Sequence, residues 1–149
     1  MIGFSRIPLH RLVLSLSEAL DYVDAAVANH QPRVAYLAME IARVLGMSKD
    51  DRENLFYAAA LHDIGLIRAE NRLLALDSEG LREIGWHGEA GYRLLRHIPI
   101  FAQAAEIVRH HHGRYAEDPD AGSAAIPAAR HVLALADSIE RLIVRDVAI

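Results

Sequence analysis

The chain has 149 residues, 52% of them hydrophobic and 24% charged, with a formal net charge of −4 at pH 7. This length and this proportion of hydrophobic residues predict one globular domain with a sizeable core. The negative net charge and the single lysine argue against duplex nucleic acid or an anionic membrane as the main partner. The absence of cysteine excludes disulfides and thiolate metal sites, while the lack of a membrane-length apolar run or a signal-peptide pattern makes a cytoplasmic location the expectation.

Apolar residues recur at spacings of three and four along most of the chain, and no segment alternates in the manner of a strand. Pro32 suits the first turn of the second helix, Gly46 suits its C-terminal cap, and Ser48 suits the N-terminal cap of the third. Residues 66–77 and 113–125 are predicted to be loops. The predicted helices cover 9–27, 32–45, 49–62, 78–97 with an interruption near Gly85, 100–112 and 127 onward. The fold class predicted is therefore all-α, a compact multi-helix bundle.

One domain is expected over residues 1–149. The last predicted helix is still apolar at Ile149 and carries no cap signal. This fits a frayed end, and it equally fits a chain that is part of a longer protein.

A His-Asp pair, His62 and Asp63, follows directly after a run of small apolar residues. Polar groups in an apolar site require partners, and a first-row divalent metal accepts both imidazole nitrogen and carboxylate oxygen. The alternative is a helix end before the turn at Gly65, with His62 in the core and Asp63 solvated. The rest of the histidines favour the metal.

The three consecutive histidines 110–112 can be sorted by helical face. His111 continues an apolar row of the fifth predicted helix, His112 continues a second apolar row, and His110 continues a polar one. We therefore expect His111 and His112 to point into the protein and His110 to point to solvent. Asp137 lies in the most apolar stretch of the last helix, where an acid is rarely buried without a counter-charge.

Several predicted helices thus each offer an inward-pointing His or Asp at the end of, or within, an apolar stripe. Because these stripes share one core, the side chains are expected to converge on one metal site. Five imidazoles and two carboxylates exceed the needs of one ion, so two six-coordinate ions sharing Asp63 are predicted, with iron or manganese favoured over zinc. The predicted ligands are His30, His62, Asp63, His87, His111, His112 and Asp137.

This pattern resembles the H…HD…D signature of the HD superfamily of metal-dependent phosphohydrolases, and most closely its HD-GYP branch. The resemblance covers roughly residues 27–145. The residues that carry it are His30 with Arg33, the His62-Asp63-Ile64-Gly65 run, His87 with Gly91, His111 and His112 with Tyr115, and Ile126-Pro127, Arg130 and Ala136-Asp137.

The chain departs from that branch where substrate would bind. Leu66 stands in place of the lysine after HDIG, and Gly113 in place of the acid after the His pair. The loop 116–125 replaces the Gly-Tyr-Pro segment, and Ala26 stands where some members carry a glutamate for a third metal.

The resemblance implies a hydrolase of phosphoester bonds on small phosphorylated or nucleotide substrates, most like a cyclic dinucleotide phosphodiesterase with an altered pocket. Asp63 is the predicted catalytic residue, as the bridge between two ions. Arg33, Arg114 and Arg130 are candidate phosphate contacts, for each of which the alternative is a solvated surface arginine. Two other functions stay open: a catalytically weak, metal-bearing sensor or adaptor that binds a nucleotide or a partner protein, and a nucleotide phosphomonoesterase. This interpretation is also compatible with a further domain beside this one.

Overall fold

The computed structural model describes residues 7–21, 28–66, 86–113 and 125–147, and within these ranges it contains six α-helices, two 3-10 turns and no strand. This confirms the all-α prediction. The 3-10 turns cover Ile64–Leu66 and Pro99–Phe101. The helices are α1 (Leu9–Asp21), α2 (His30–Val44), α3 (Lys49–Leu61), α4 (Trp86–Leu95), α5 (Ala102–Arg109) and α6 (Ala125–Val147).

Helix α3 is the centre of the bundle and packs against α1, α2, α5 and α6. Residues 57–61 of α3 are buried, and three of them are consecutive alanines, Ala58 to Ala60. Small side chains let the neighbouring helices approach closely, while Leu55 and Leu61 fill the space between them. The chain therefore leaves α3 deep inside the protein, directly before His62 and Asp63.

The junction of α2 and α3 follows the predicted capping pattern. Gly46 has a φ of +66°, and its amide and that of Met47 donate to carbonyl oxygens of the last turn of α2. The Oγ of Ser48 accepts a hydrogen bond from the amide of Asp51 at 3.1 Å. Both caps predicted from the sequence are confirmed.

The start of α2 is capped from α1. Asn29 precedes the helix in a left-handed conformation and its side chain caps nothing. Instead, the buried carboxylate of Asp21 accepts hydrogen bonds from the backbone amide of Gln31 at 3.0 Å and from its side-chain amide at 3.2 Å. This contact fixes the first turn of α2, and with it the position of His30.

Two glycines permit the close approach of the segments that follow α3. A Cβ built on Gly65 would lie 2.1 Å from the carbonyl oxygen of His87, and one on Gly91 would lie 2.9 Å from Cγ1 of Val108. The turn after α3 therefore packs closely against the first turn of α4, and α4 packs closely against α5. Only glycine fits at Gly65, and the fit holds His87 beside the His62-Asp63 pair.

The described helix bounds differ from the predicted ones in several places. Helix α2 covers His30–Val44 and not 32–45, and α3 ends at Leu61. Helix α5 covers Ala102–Arg109 and not 100–112, because Pro99–Phe101 form a 3-10 turn and the histidines lie in a tight turn beyond the helix. Helix α4 ends at Leu95, and α6 begins at Ala125. The predictions for 22–27, for the loop 66–77 beyond Leu66, for the helix 78–85 and for most of the loop 113–125 lie outside the described residues.

In the part of the chain that the structure describes, every helix is too short or too polar to cross a membrane.

The substitution Gly65→Ala is expected to lower the free energy of unfolding by roughly 3 kcal/mol or more, because its Cβ collides with the backbone of His87. Gly46→Asn is the control, since nothing lies within 4 Å of a Cβ there and asparagine tolerates a positive φ, so its cost should be about 1 kcal/mol or less. Urea denaturation of the two metal-free variants measures both values. Equal costs for the two substitutions would contradict the packing described.

Candidate metal centre

Five segments of the fold bring the predicted ligands to one place. His30 begins α2, His62 and Asp63 follow α3, His87 lies in the first turn of α4, His111 and His112 follow α5, and Asp137 lies within α6. All of them are buried except His112, whose ring nevertheless reaches His87. His110 is exposed, as expected. His112 is also exposed, so the expectation that it points inward holds only for its Nε2 atom, which lies 2.8 Å from Nε2 of His87.

The donor atoms form two groups. The first donor group consists of His30, His62 and Asp63, and the second donor group of His87, His111 and His112; within each, one ligand atom per residue lies within 4.8 Å of the others. Asp137 adjoins the first donor group, with its Oδ1 3.2 Å from Nε2 of His30 and 3.7 Å from Nε2 of His62.

Asp63 connects the two groups. Its Oδ2 lies 3.5 Å from Nε2 of His62 and 3.8 Å from Nε2 of His30. Its Oδ1 lies 3.4 Å from Nε2 of His87, in the second donor group. Each oxygen of one carboxylate therefore faces a different set of imidazoles, which is the arrangement required of a bridging ligand.

Backbone carbonyls orient two of the imidazoles. Nδ1–H of His62 donates to the carbonyl of Ala59 at 2.9 Å, and Nδ1–H of His111 donates to the carbonyl of Val108 at 2.6 Å. Because a carbonyl only accepts, each ring carries its proton on Nδ1 and presents Nε2 as a lone-pair donor toward the centre.

The residues fit a pair of divalent cations. Among the described residues, the buried atoms Nε2 of His30, Nε2 of His62 and Oδ1 of Asp63 make no hydrogen bond, which is costly unless an ion takes them as ligands. In the second donor group, Nε2 of His87 lies 3.2 Å from Nε2 of His111 and 2.8 Å from Nε2 of His112. Nitrogens bound at right angles to one ion at about 2.1 Å would be about 3.0 Å apart.

The protonation states of His111, His112 and the two carboxylates are those that bind metal. Burial, helped by the neighbouring imidazoles, lowers the pKa of His111 well below its ordinary value and that of His112 to about 4. Burial alone would raise the pKa values of Asp63 and Asp137, but the surrounding imidazoles, and Arg141 beside Asp137, outweigh it and hold both below the ordinary range. At neutral pH the rings of His111 and His112 are therefore neutral, and the carboxylates of Asp63 and Asp137 are ionised.

His30 is oriented by a residue that the sequence analysis missed. The buried carboxylate of Glu140 accepts a hydrogen bond from Nδ1–H of His30 at 2.5 Å and is held in turn by Nε and Nη2 of Arg33, at 2.7 and 2.6 Å. Burial disfavours the imidazolium, but Asp137 and Glu140 outweigh it and raise the pKa of His30 to about 9. The signal in the sequence was its position three residues after Asp137, on the same helical face.

Of the three arginines predicted to contact phosphate, the structure describes Arg33 and Arg130. The guanidinium of Arg33 lies on Glu140 and on the carbonyl of Ala28. Arg130 is partly buried on α6. Burial lowers the pKa of His110, and the charges of Arg130 and Arg109 lower it further. Arg114 lies outside the described residues.

Leu66 and Arg141 complete the surroundings of the site. Leu66, the last residue of the turn after Asp63, is 1% exposed and belongs to the apolar interior. Arg141 was not singled out from the sequence. Its Nε lies 2.9 and 3.1 Å from the two carboxylate oxygens of Asp137, one turn earlier on α6.

Several known proteins are similar in sequence to this chain. A cyclic di-GMP phosphodiesterase of Thermotoga maritima is 31% identical over 134 residues, which cover 84% of this chain and 36% of that protein. The cyclic di-GMP phosphodiesterase response regulator RpfG of Xanthomonas campestris pv. campestris is 29% identical over 140 residues, 86% of this chain and 36% of its own. The 3'3'-cGAMP-specific phosphodiesterase 1 of Vibrio cholerae is 26% identical over 104 residues, 70% of this chain and 24% of its own.

The chain thus spans about a third or less of the length of these relatives. The family model described as the HD domain matches residues 27–142, a range that begins just before His30 and ends just after Asp137, Glu140 and Arg141. It therefore contains every residue of both donor groups. The superfamily predicted from the H…HD…D pattern is confirmed, and this chain belongs to the HD-domain family.

Proposed function

We propose that this chain is a metal-dependent hydrolase of phosphoester bonds, most like a cyclic dinucleotide phosphodiesterase with an altered substrate pocket. The proposal depends on the position of Asp63, whose carboxylate has one oxygen facing each donor group. The names of the relatives support the same reaction class, since they are phosphodiesterases of cyclic dinucleotides.

The proposed ligands to two divalent transition metal ions, iron or manganese, are the two donor groups and Asp137. Such ions, when bound, lower the pKa of water and neutralise charge that develops on a phosphoryl group. Imidazole and carboxylate donors in this number suit six-coordinate ions better than four-coordinate zinc.

The chain's own residues then have distinct roles. Asp63 holds the two halves of the site in a fixed relation, and either its carboxylate or that of a nearby acid accepts the proton of the attacking water. Glu140 sets the tautomer of His30 so that its Nε2 faces the centre. Most of these groups are already fixed by hydrogen bonds, so little reorganisation accompanies the reaction.

The surroundings favour a pocket with weak recognition of a cyclic dinucleotide. Leu66 is apolar and buried where the resembled branch carries a lysine, and the guanidinium of Arg33 is held by Glu140. These two observations also favour the second candidate function, a catalytically weak sensor or adaptor. Assays of metal content and of turnover on the same preparation separate the two.

The first expectation concerns the metal count. Anaerobically purified protein should hold about two transition metal ions, and His111→Ala should lower this toward one, because the substitution removes Nε2 from the second donor group. His110→Ala, at an exposed position of the same turn, should leave it at two. Elemental analysis measures all three, with circular dichroism as the check on folding. Loss of metal from the His110 variant alone would show that the register of the turn is wrong.

A second expectation concerns pH. Binding at Nε2 of His30 must displace the proton that gives this ring a pKa of about 9, so the affinity of the first donor group for Mn²⁺ should rise about tenfold per pH unit between pH 7 and 8.5. The Mn²⁺ affinity of the second donor group should depend much less on pH, because its His111 and His112 are already neutral. Competition with a chelating dye measures both affinities.

Glu140→Gln should weaken the pH dependence of Mn²⁺ affinity at the first donor group, because it removes a carboxylate that raises the pKa of His30. Glu40→Gln is the matched control, since Glu40 also pairs with an arginine but is exposed on α2. A slope that is the same in wild type and the Glu140 variant would contradict the role given to Glu140.

The third expectation concerns substrate. With Mn²⁺, the protein should hydrolyse bis(p-nitrophenyl) phosphate, and Asp63→Ala should abolish this activity because it removes the bridge. Cyclic di-GMP should be cleaved poorly, since loss of one cationic contact to phosphate lowers transition-state binding by roughly one to two powers of ten. A p-nitrophenyl monoester, run in parallel, tests the phosphomonoesterase alternative. Brisk cleavage of cyclic di-GMP would contradict the altered pocket, and two bound ions with no turnover would favour the sensor or adaptor.

A further inference from the structure

Helix α1 lies outside the range that the HD-domain family model matches. The match covers residues 27–142, whereas α1 covers Leu9–Asp21. The helix nevertheless packs against α2 and α3, the two helices that position the first donor group. Its last residue, Asp21, is 1% exposed and contacts the first turn of α2. An element outside the matched domain therefore contacts the segment that carries His30.

This contact caps α2, which has no cap of its own. Asn29, the residue before the helix, has a φ of 59°, and its side chain makes no capping hydrogen bond. Oδ2 of Asp21 accepts from the backbone amide of Gln31 at 3.0 Å, and Oδ1 accepts from Nε2 of the same residue at 3.2 Å. The first N–H groups of a helix have no partner within the helix, and a carboxylate there also interacts favourably with the helix dipole. Asp21 therefore holds the first turn of α2 from ten residues earlier in the chain.

The position of that turn matters because His30 makes contacts through both ring nitrogens. Its Nδ1–H donates to Glu140 at 2.5 Å, and its Nε2 lies 3.2 Å from Oδ1 of Asp137. A displacement of the first turn of α2 would disturb both contacts and move Nε2 relative to the rest of the first donor group. The second donor group is carried by other segments, α4 and the turn after α5. A loss of the Asp21 contact should therefore affect one half of the site.

We propose that Asp21 is a positioning residue of the metal site, acting through the first turn of α2 to set the place of His30. The proposal gives α1, which lies outside the matched HD domain, a part in binding the first ion. It rests on the proposed function for that ion, but the position of the His30 ring is measurable in metal-free protein. The competing account is that Asp21 contributes only to the stability of the packing between α1 and α2.

The test compares Asp21→Ala and Asp21→Asn with wild type. In metal-free protein, nuclear magnetic resonance detects the Nδ1–H proton of His30, which the hydrogen bond to the buried carboxylate of Glu140 protects from exchange with water. With Mn²⁺, competition with a chelating dye measures the two affinities, and the step that persists in His111→Ala identifies the first donor group. The matched control is Ser17→Ala, since Ser17 is buried four residues before Asp21 on α1 and its Oγ makes no hydrogen bond with the described residues.

Asp21→Ala should weaken Mn²⁺ binding at the first donor group about tenfold to a hundredfold, the range for residues that orient a metal ligand. The affinity of the second donor group should be unchanged, and the Nδ1–H signal of His30 should shift or be lost by exchange. Asp21→Asn should recover most of the affinity. Its side-chain oxygen still accepts from the amide of Gln31, whose side-chain oxygen can turn to accept from the new N–H₂ group. Ser17→Ala should match wild type.

Gln31→Ala removes only the side-chain half of the contact, so it should give a smaller loss at the same donor group, and it takes the place of Asp21→Ala if that variant does not fold. If the His30 signal changes in these variants but wild type binds no metal, the positioning of His30 stands and the proposed function fails. An unchanged His30 signal with unchanged Mn²⁺ affinity would overturn the assignment. Equal losses at both donor groups, or equal losses in Asp21→Asn and Asp21→Ala, would overturn it as well, because they would indicate general packing or charge in place of position.

Discussion

The structure depends on the burial of one ionised carboxylate, that of Asp63. A carboxylate in the interior of a helical bundle is strongly unfavourable unless positive charge or hydrogen-bond donors surround it. Here the surroundings are imidazole nitrogens from three segments of the chain, which lie 3.4 to 3.8 Å from its two oxygens. The small side chains of the alanines in α3, and the absence of a side chain at Gly65, let those segments approach Asp63 this closely.

The two donor groups differ in electrostatic character. The first donor group adjoins Asp137 and Glu140, which favour the protonated form of His30. The second donor group contains no carboxylate of its own, and burial favours neutral rings in His111 and His112. A cation bound to the first half would therefore compete with a proton on His30, whereas a cation bound to the second half would meet rings that are already neutral at His111 and His112. Arg33 and Arg141 lie on the carboxylates of the first half only, at Glu140 and Asp137.

The sequence predicted much of this arrangement because helical periodicity reports which residues face a core. It placed His30, His87, His111 and Asp137 inside correctly, and the two caps around Gly46 and Ser48 are as expected. It did not predict the end of α5 at Arg109, because the apolar rows continue past the point where the backbone turns. It missed Glu140, whose partner His30 is 110 residues away, so that no local pattern shows the contact. It also interpreted Gly65 as a helix end, whereas the reason for glycine there is the carbonyl of His87.

We propose that Asp63 joins two metal ions in one site. Electron paramagnetic resonance of protein loaded with two Mn²⁺ ions per chain tests this directly, because two manganese ions that share a carboxylate are magnetically coupled. The spectrum expected at low temperature is the broad multiline spectrum of a coupled pair. A six-line spectrum of isolated Mn²⁺ at full loading would contradict it.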